Sequence, residues 1–206
     1  RPALMALAPV ILYETLGPTL GDAAEAALLW GAAQSCAMTF PDAVKRAGIP
    51  GDGPALPTVR TLTVASAALS KGMRRAVLER LTPNLHIAYA SNEVGPITHA
   101  RPADLAQRLM TVGRALPGVE IEIVDDAGQP VPPGEVGEIR VRTPSMTRDY
   151  IGDDAARRAI RDGWFHMGDV GRLDEAGHLY LYGRVDDRIN HGGRKLYAFE
   201  IEEALL

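Results

Sequence analysis

The sequence lacks the features that mark secreted, nucleic-acid-binding and membrane-spanning chains. Its single cysteine, Cys36, excludes an internal disulfide framework and fits a reducing cytosol. We expect Cys36 to be a small buried hydrophobic side chain. A net charge of -4 provides no basic field for a nucleic acid. No apolar run reaches membrane-spanning length and no signal peptide is visible, so we expect a cytoplasmic protein.

Apolar residues, by contrast, are plentiful. They make up 46% of the 206 residues, which is enough for one large core or two smaller ones. The chain begins at Arg1 rather than at a methionine and ends at Leu206 within a predicted helix. We therefore expect a piece of a longer protein.

The first part of the chain predicts an α/β fold. An apolar run over residues 3–12 indicates a buried strand, and capping residues predict helices over 22–34 and 41–48. Residues 59–65 are rich in β-forming side chains and follow a helix. They are therefore interpreted as a buried strand of a parallel sheet.

The next predicted elements position a ligand site. Ser70 is expected to cap a helix whose buried face carries Met73, Ala76, Val77 and Leu81. A short strand over 86–90 precedes a predicted loop over 91–96. Ligands of open α/β sheets bind beyond the carboxyl ends of strands. The turn after the first strand (Ser66, Ala67 and Ala68) and the start of the later loop both lie there.

After Gly113 the sequence changes to a period of two. Apolar and polar residues alternate in three stretches, near residues 119–123, 139–142 and 178–182. We expect a mainly antiparallel, barrel-like β subdomain, interrupted by one helix over 153–161. The predicted domains are an α/β portion over 1–112, the β subdomain over 113–185, and a hinge with the start of another domain over 186–206.

Residues 162–202 combine turn glycines with charged side chains. Asp169 follows Gly168, and Arg184 follows Gly183. A glycine lets a ligand approach the backbone, and a guanidinium suits phosphate or ribose oxygens. Taken alone, a Gly-Asp pair is more typical of a plain turn and a Gly-Arg pair of a solvated loop end.

The combined spacing of these residues resembles the adenylate-forming superfamily, in particular its acyl- and aryl-CoA synthetases. The resemblance covers the chain from about Thr58 onward. The matching residues are Tyr89, Ala90, Ser91, Asn92 and Glu93, then Gly168 and Asp169, Gly183, Arg184 and Asp186, Gly193, and Glu200, Ile201 and Glu202. Ala90 stands where the family usually has glycine, and Asn92 where it usually has threonine.

The resemblance implies roles for the upstream motif. Glu93 would help to hold the magnesium of ATP, since Mg²⁺ prefers carboxylate oxygens, and it is the candidate catalytic residue. Tyr89 would stack on adenine, with a buried core tyrosine as the alternative. Asn92 would donate to a phosphate oxygen. The small side chains of Ser66, Ala67 and Ala68 would line the adenine pocket, although a helix-entry turn has the same composition.

The resemblance also assigns the downstream residues. Asp169 would accept hydrogen bonds from both ribose hydroxyls, and Arg184 would contact ribose or phosphates. Asp186 matches the hinge about which the family's small C-terminal domain rotates. His166 departs from the family pattern and is expected to be a surface side chain. Asn190 stands where the family often has lysine.

The implied reaction uses ATP, Mg²⁺ and CoA. A carboxylic acid would form an acyl-adenylate and then a thioester with CoA, or with the phosphopantetheine of a carrier protein as in peptide-synthetase adenylation domains. A non-catalytic nucleotide-binding or interaction remnant is the other alternative. The family's phosphate-binding loop and C-terminal lysine are absent from these 206 residues, so we expect the chain alone to be inactive.

Overall fold

A computed structural model describes residues 10–14, 54, 59–65, 69–147, 159–192, 194–197 and 201. The chain divides into two units. The first comprises Arg1–Ala88 with Arg101–Leu109, and the second comprises Tyr89–Ala100 with Met110–Leu206. The helices expected over 22–34 and 41–48 lie outside the described residues. The domain boundaries expected at residues 112 and 185 remain predictions.

The first unit contains the parallel strand pair expected from the sequence. Strand β1 (Val10–Glu14) pairs antiparallel with β2 (Thr61–Ala65), which pairs parallel with β3 (Leu85–Ser91). Alternate residues of β2 and β3 are buried: Leu62, Val64, Leu85 and Ile87. The predicted first strand over 3–12 thus ends two residues too early at its C-terminal side, and residues 3–9 lie outside the described residues.

A short helix links β2 to β3. Helix α1 (Lys71–Ala76) begins where predicted, because the Ser70 hydroxyl accepts a hydrogen bond from the Met73 amide at 3.2 Å. It continues as a π-helical segment, Val77–Leu81. The predicted buried face is wrong at Met73, which is 37% exposed, whereas Arg74 is 3% exposed.

Carbonyl acceptors make the burial of Arg74 possible. Its guanidinium donates to the Leu69 carbonyl at 3.2 Å and to the Leu109 carbonyl at 2.9 Å. A buried cation is tolerated when such acceptors satisfy it. Leu109 lies just beyond helix α2 (Pro102–Gln107), which Asp104 caps by accepting from the Arg101 amide at 2.9 Å. Hydropathy periodicity gave no sign of this burial.

The second unit is an antiparallel sheet, as the period of two predicted. Its strands follow the order β4-β5-β10-β9-β7-β6, and β8 pairs with β9. They are β4 (Gly95–Ala100), β5 (Gly113–Ala115), β6 (Glu120–Val124), β7 (Gly137–Arg142), β8 (Ile160–Arg161), β9 (Trp164–Leu173) and β10 (His178–Arg184). A separate hairpin follows, formed by β11 (Ile189–His191) and β12 (Arg194–Leu196).

Strand β7 illustrates how alternation builds this sheet. Ile139 and Val141 are fully buried in the core. Arg140 and Arg142 lie on the opposite face, where their guanidiniums lie 5.0 and 4.5 Å from the centre of the Trp164 ring. Each arginine also pairs with a glutamate of β6. The predicted strand is confirmed with both of its faces.

Two local predictions in this unit are wrong. The predicted loop over 91–96 is a tight turn at 92–94, because β3 extends to Ser91 and β4 begins at Gly95. The predicted helix cannot reach Arg161, since Ile160–Arg161 form β8 and a turn at Asp162 and Gly163 joins it to β9. Residues 148–158 lie outside the described residues.

His178 also differs from its expected outward position, since it is 1% exposed. Its ring nitrogen Nδ1 lies 3.4 Å from the Asp174 carboxylate. Across the described residues, none of the helices combines the length and the apolar content that a membrane crossing needs.

Candidate functional site

A β-bulge places Arg184 opposite Asp169. Strands β9 and β10 pair Leu181 with Gly171, but the register then shifts by one residue, so that Arg184 pairs with Asp169. Without this shift Asp169 would lie opposite Gly183, which has no side chain. Bulges re-aim side chains in this way and recur beside active sites. The site therefore depends on one extra residue in β10.

Strand β9 is also irregular on its other side. It pairs with β7 through Val170 and Glu138 and again through His166 and Arg140, so three residues, 167–169, lie opposite the single residue Ile139. Gly168 is at the centre of this bulge with φ of 65°, a left-handed conformation that favours glycine. The backbone before Asp169 is thus displaced from regular strand geometry.

The guanidinium of Arg184 fills the space beside Gly168. A Cβ atom on that glycine would lie 3.0 Å from Nη2 of Arg184. The Nη1 atom donates to the Met167 carbonyl at 3.0 Å and to Oδ1 of Asp169 at 2.8 Å. One cation thus binds both the backbone and the carboxylate of the bulge, which fixes the position of Asp169.

Tyr89 binds the other oxygen of the same carboxylate. Its hydroxyl donates to Oδ2 of Asp169 at 2.5 Å, across 80 residues of sequence. Burial, followed by the charge and the hydrogen bond of Asp169, raises the pKa of Tyr89 far above its ordinary value, and the charge of Arg184 opposes this only in part. The hydroxyl therefore stays protonated and continues to donate.

The electrostatics of Arg184 follow from the same contacts. Burial alone would lower its pKa, but the hydrogen bond and charge of Asp169 outweigh this and raise it. The charge of Asp186 acts in the same direction. The Asp169 side chain is 17% exposed and that of Arg184 is 56% exposed, so the pair lies at the border of the solvent. A polar ligand can reach it from that side.

The turn at 92–94 carries the remaining upstream residues. Asn92 is exposed, Glu93 is half-buried, and Val94 is fully buried. The Glu93 carbonyl accepts a hydrogen bond from the Thr147 amide at 2.7 Å. A single half-buried carboxylate fits Mg²⁺ held partly by substrate phosphates, the usual arrangement for that ion. In the parts of the chain that are described, no three His, Cys, Asp or Glu side chains converge into a metal cluster.

Asp186 lies in a pair of consecutive turns beyond β10. It is exposed, and the backbone closes hydrogen bonds from Asp187 to Arg184 and from Arg188 to Val185, each 3.3 Å long. The hairpin that follows is tied to the turn after β6. The Asp126 carboxylate accepts from Arg188 at 2.9 Å and from Lys195 at 2.7 Å.

The structure thus brings together three of the residues selected from the sequence: Tyr89, Asp169 and Arg184. Asn92 and Glu93 occupy the turn directly after the strand that carries Tyr89. The remaining matches (Ser66, Ala67, Ala68, Gly193, Glu200 and Glu202) lie outside the described residues. His166 is not a surface side chain, because it is only 9% exposed and its Nδ1 lies 3.3 Å from the Glu138 carboxylate.

Two further residues were not found by sequence reasoning. The hydroxyls of Thr143 and Ser145 donate to the Val94 carbonyl at 2.9 and 3.0 Å. The only local signal was two hydroxyl residues around Pro144 directly after a predicted strand, which is also typical of an ordinary turn.

With this geometry in place, comparison with known proteins identifies the family. A model of the AMP-binding enzyme family matches residues 1–151. That is more than half of the chain, and the chain belongs to this family. The resemblance drawn from the Gly-Asp and Gly-Arg-x-Asp motifs is confirmed, as is the expected α/β fold with a mainly antiparallel part.

Individual relatives are consistent with this assignment. An indoleacetate–CoA ligase of Aromatoleum aromaticum is 38% identical over 152 residues, which is 73% of this chain and 30% of that protein. A fatty acid–acyl-carrier-protein ligase of Streptomyces coeruleorubidus is 31% identical over 156 residues, 72% of this chain and 30% of that protein. The chain therefore spans about 30% of the curated relatives it matches.

A solved structure shares the fold. The O-succinylbenzoate coenzyme A synthetase of Bacillus subtilis, in complex with ATP and magnesium, superposes with a TM-score of 0.68 at 27% identity. The superposition covers 80% of this chain and 34% of that one.

Proposed function

We propose that the full-length protein is an acid–thiol ligase that uses ATP to convert a carboxylic acid into an acyl-adenylate and then into a thioester with CoA. The observation that carries this proposal is the convergence of Tyr89 and Arg184 on the Asp169 carboxylate. Membership of the AMP-binding enzyme family and the similarity to CoA ligases support it.

Asp169 is proposed to bind the ribose of ATP. Each carboxylate oxygen has two lone pairs, and here each accepts one protein hydrogen bond. The carboxylate keeps room for two further donors, which matches the two hydroxyls of a ribose. Tyr89 and Arg184 hold the carboxylate in place while the ligand binds, and the exposed guanidinium of Arg184 offers further donors to ribose or phosphate oxygens.

The other assignments follow from their positions. Glu93 is the proposed magnesium ligand and catalytic residue, and Asn92 beside it is exposed and offers an amide donor to phosphate. We propose that the ring of Tyr89 faces adenine, with its hydroxyl on Asp169. Ser66, Ala67 and Ala68 are proposed to line the adenine pocket. Mg²⁺ bound at Glu93 would neutralise the charge of the ATP phosphates.

The acceptor of the acyl group has a second candidate. A relative with 31% identity is named as a ligase of fatty acids to an acyl carrier protein. The phosphopantetheine thiol of a carrier protein has the same chemistry as that of CoA. Parallel assays of the full-length protein with CoA and with a loaded carrier protein distinguish the two, because only the true acceptor should give thioester at a low concentration.

The principal test is Asp169→Ala in the full-length protein. Loss of two hydrogen bonds to a charged group, at roughly 1.5–3 kcal/mol each, should weaken ATP binding at least roughly tenfold. Calorimetry gives the dissociation constant, and pyrophosphate exchange gives adenylation. Asp126→Ala is the matched control, because it removes an exposed carboxylate that also accepts from two side chains. An unchanged ATP dissociation constant in Asp169→Ala would exclude the ribose role.

A second test concerns the proposed hinge. Asp186→Pro fixes φ at about -65° and removes the backbone N–H of residue 186, which lies within the turns after β10. If a following domain rotates there, one half-reaction should fail while the other persists. Asp186→Ala, which leaves φ free, should keep both. Equal loss of pyrophosphate exchange and thioester formation in the proline variant would contradict a hinge at this residue.

A further inference from the structure

The segment directly after β7, residues 143–147, forms hydrogen bonds to the turn at 92–94. The Thr143 and Ser145 hydroxyls both donate to the Val94 carbonyl, at 2.9 and 3.0 Å, and their oxygens lie 3.1 Å apart. Two residues further, the Thr147 amide donates to the Glu93 carbonyl at 2.7 Å. Two consecutive carbonyls of the turn are thus bound by one short segment that is distant in sequence.

Burial gives these contacts their importance. Val94 is fully buried and Thr143 is 8% exposed, so water cannot easily replace the Thr143 hydroxyl, whereas Ser145 is exposed. A carbonyl oxygen has two lone pairs, and the two hydroxyls use both of them. A buried carbonyl that loses its donors bears a desolvation cost, which the turn can reduce only by moving.

The next glycine is adapted to the same contact. Gly95 has φ of 77°, which reverses the chain into β4. A Cβ atom at this position would lie 3.2 Å from the Ser145 hydroxyl oxygen. The absence of a side chain therefore allows both the left-handed backbone and the close approach of Ser145. The turn, its glycine and the two hydroxyls form one interlocking unit.

We propose that Thr143 and Ser145 are positioning residues for Glu93, and that they set the affinity of the site for magnesium with ATP. This proposal rests on the proposed function, in which Glu93 is the magnesium ligand. The hydroxyls touch neither metal nor nucleotide. They fix the backbone of the residue after Glu93, and Mg²⁺ binding demands accurate ligand placement because its octahedral geometry is strict.

The test is the double variant Thr143→Val with Ser145→Ala in the full-length protein. Valine and alanine remove the hydroxyls and nearly preserve the side-chain volumes. The Mg²⁺ concentration that gives half-maximal ATP binding should rise about five- to tenfold, a size typical of losing one or two hydrogen bonds. The dissociation constant of AMP in the absence of Mg²⁺ should stay within about twofold.

Two control variants separate positioning from general stability. Thr143→Ser keeps the hydroxyl and should retain the Mg²⁺ dependence of the unsubstituted protein. Thr98→Val removes another buried hydroxyl, which donates to the Val112 carbonyl at 2.6 Å within the same unit. It should lower the melting temperature without shifting the Mg²⁺ dependence.

The outcomes are distinct. If the double variant has an unshifted Mg²⁺ dependence, or if Thr98→Val shifts it equally, the two hydroxyls are only structural and the proposal is overturned. If AMP affinity falls as much as Mg²⁺-dependent ATP affinity, the effect is not specific to the metal and the proposal is likewise overturned. If the unsubstituted full-length protein binds no ATP in the presence of Mg²⁺, the proposed function itself fails together with this assignment.

Discussion

Two aspartates in the second unit each accept hydrogen bonds from two side chains but lie in different surroundings. Asp169 accepts from the Tyr89 hydroxyl and from Arg184, whereas Asp126 accepts from Arg188 and Lys195. The Asp169 side chain is 17% exposed and that of Asp126 is 64% exposed. Exposed ion pairs contribute little because water and salt screen them, whereas contacts removed from water act at higher strength.

The difference lies in what holds the donors. Tyr89 and Arg184 are fixed by strands and by two bulges, and one donor is a half-buried neutral hydroxyl. The donors of Asp126 are two long cationic side chains, Arg188 just before the hairpin and Lys195 within it, whose exposed fractions are 24% and 45%. The first cluster is held in place where we propose that a ligand binds, and the second fastens a surface element. Substitutions in the two clusters should therefore differ in their effects on stability.

The largest effect is expected from Gly168→Ala. An alanine at φ of 65° bears backbone strain, and its Cβ would lie 3.0 Å from the Arg184 guanidinium. We expect the unfolding free energy to fall by about 2–3 kcal/mol, with weaker ATP binding because Arg184 must move. Gly128→Ala, at φ of 75° near Asp126, has nothing within 4 Å of the new Cβ and should lose only about 1–2 kcal/mol. If urea denaturation gives equal losses of unfolding free energy for the two variants, the contact between residue 168 and the Arg184 guanidinium contributes nothing.

An intermediate effect is expected from Tyr89→Phe, which leaves Asp169 with one side-chain donor. Loss of a hydrogen bond to a carboxylate should reduce the unfolding free energy by about 1.5–3 kcal/mol near neutral pH. Asp126→Ala removes both contacts of the exposed cluster and should nevertheless reduce it less.

The Tyr89 variant also has a defined pH dependence. The native state raises the pKa of Tyr89 above its value in the unfolded chain, which is about 10. The contribution of Tyr89 to the unfolding free energy is therefore fully present below about pH 10 and is lost as the pH rises above that value. The stability gap between the unsubstituted protein and Tyr89→Phe should therefore narrow between about pH 9 and pH 11. The other tyrosines are present in both proteins, so their effects on the pH dependence of stability cancel in the difference. A gap that is constant over this range would show that Tyr89 is not protected from ionisation.

The sequence predicted the parts of this structure that local patterns determine. Alternation at Ile139 and Val141 located a strand and its buried face, and Ser70 located a helix start. Motif spacing selected Asp169 and Arg184. Alternation failed at His178, which is buried near the Asp174 carboxylate, because a contact of this kind leaves no trace in the hydropathy pattern.

The remaining features depend on contacts between distant residues. The bond from Tyr89 to Asp169 spans 80 residues, and no local spacing records it. The pairing of Asp169 with Arg184 needs a one-residue register shift, which an alternating pattern does not reveal. The hydroxyls of Thr143 and Ser145 acquire their role only when β7 ends beside the 92–94 turn. The contacts that join the candidate residues are therefore less predictable from the sequence than the strands that carry them.

The smallest effect is expected from Asp126→Asn, which keeps the shape of the side chain and removes its charge. Because the pair is exposed, the global unfolding free energy should change by less than about 0.5 kcal/mol. The hydrogen bonds from Lys195 and then Arg188 lower the pKa of Asp126, so its small contribution is present above the unfolded value of about 4 and is lost as the pH falls below it. Local opening should respond more than global stability, with faster amide hydrogen exchange in β11 and β12. High salt should produce the same acceleration in the unsubstituted protein and little in Asp126→Asn. A loss of global stability as large as that of Tyr89→Phe would show that the Asp126 cluster is as tightly coupled to the fold as the Asp169 cluster.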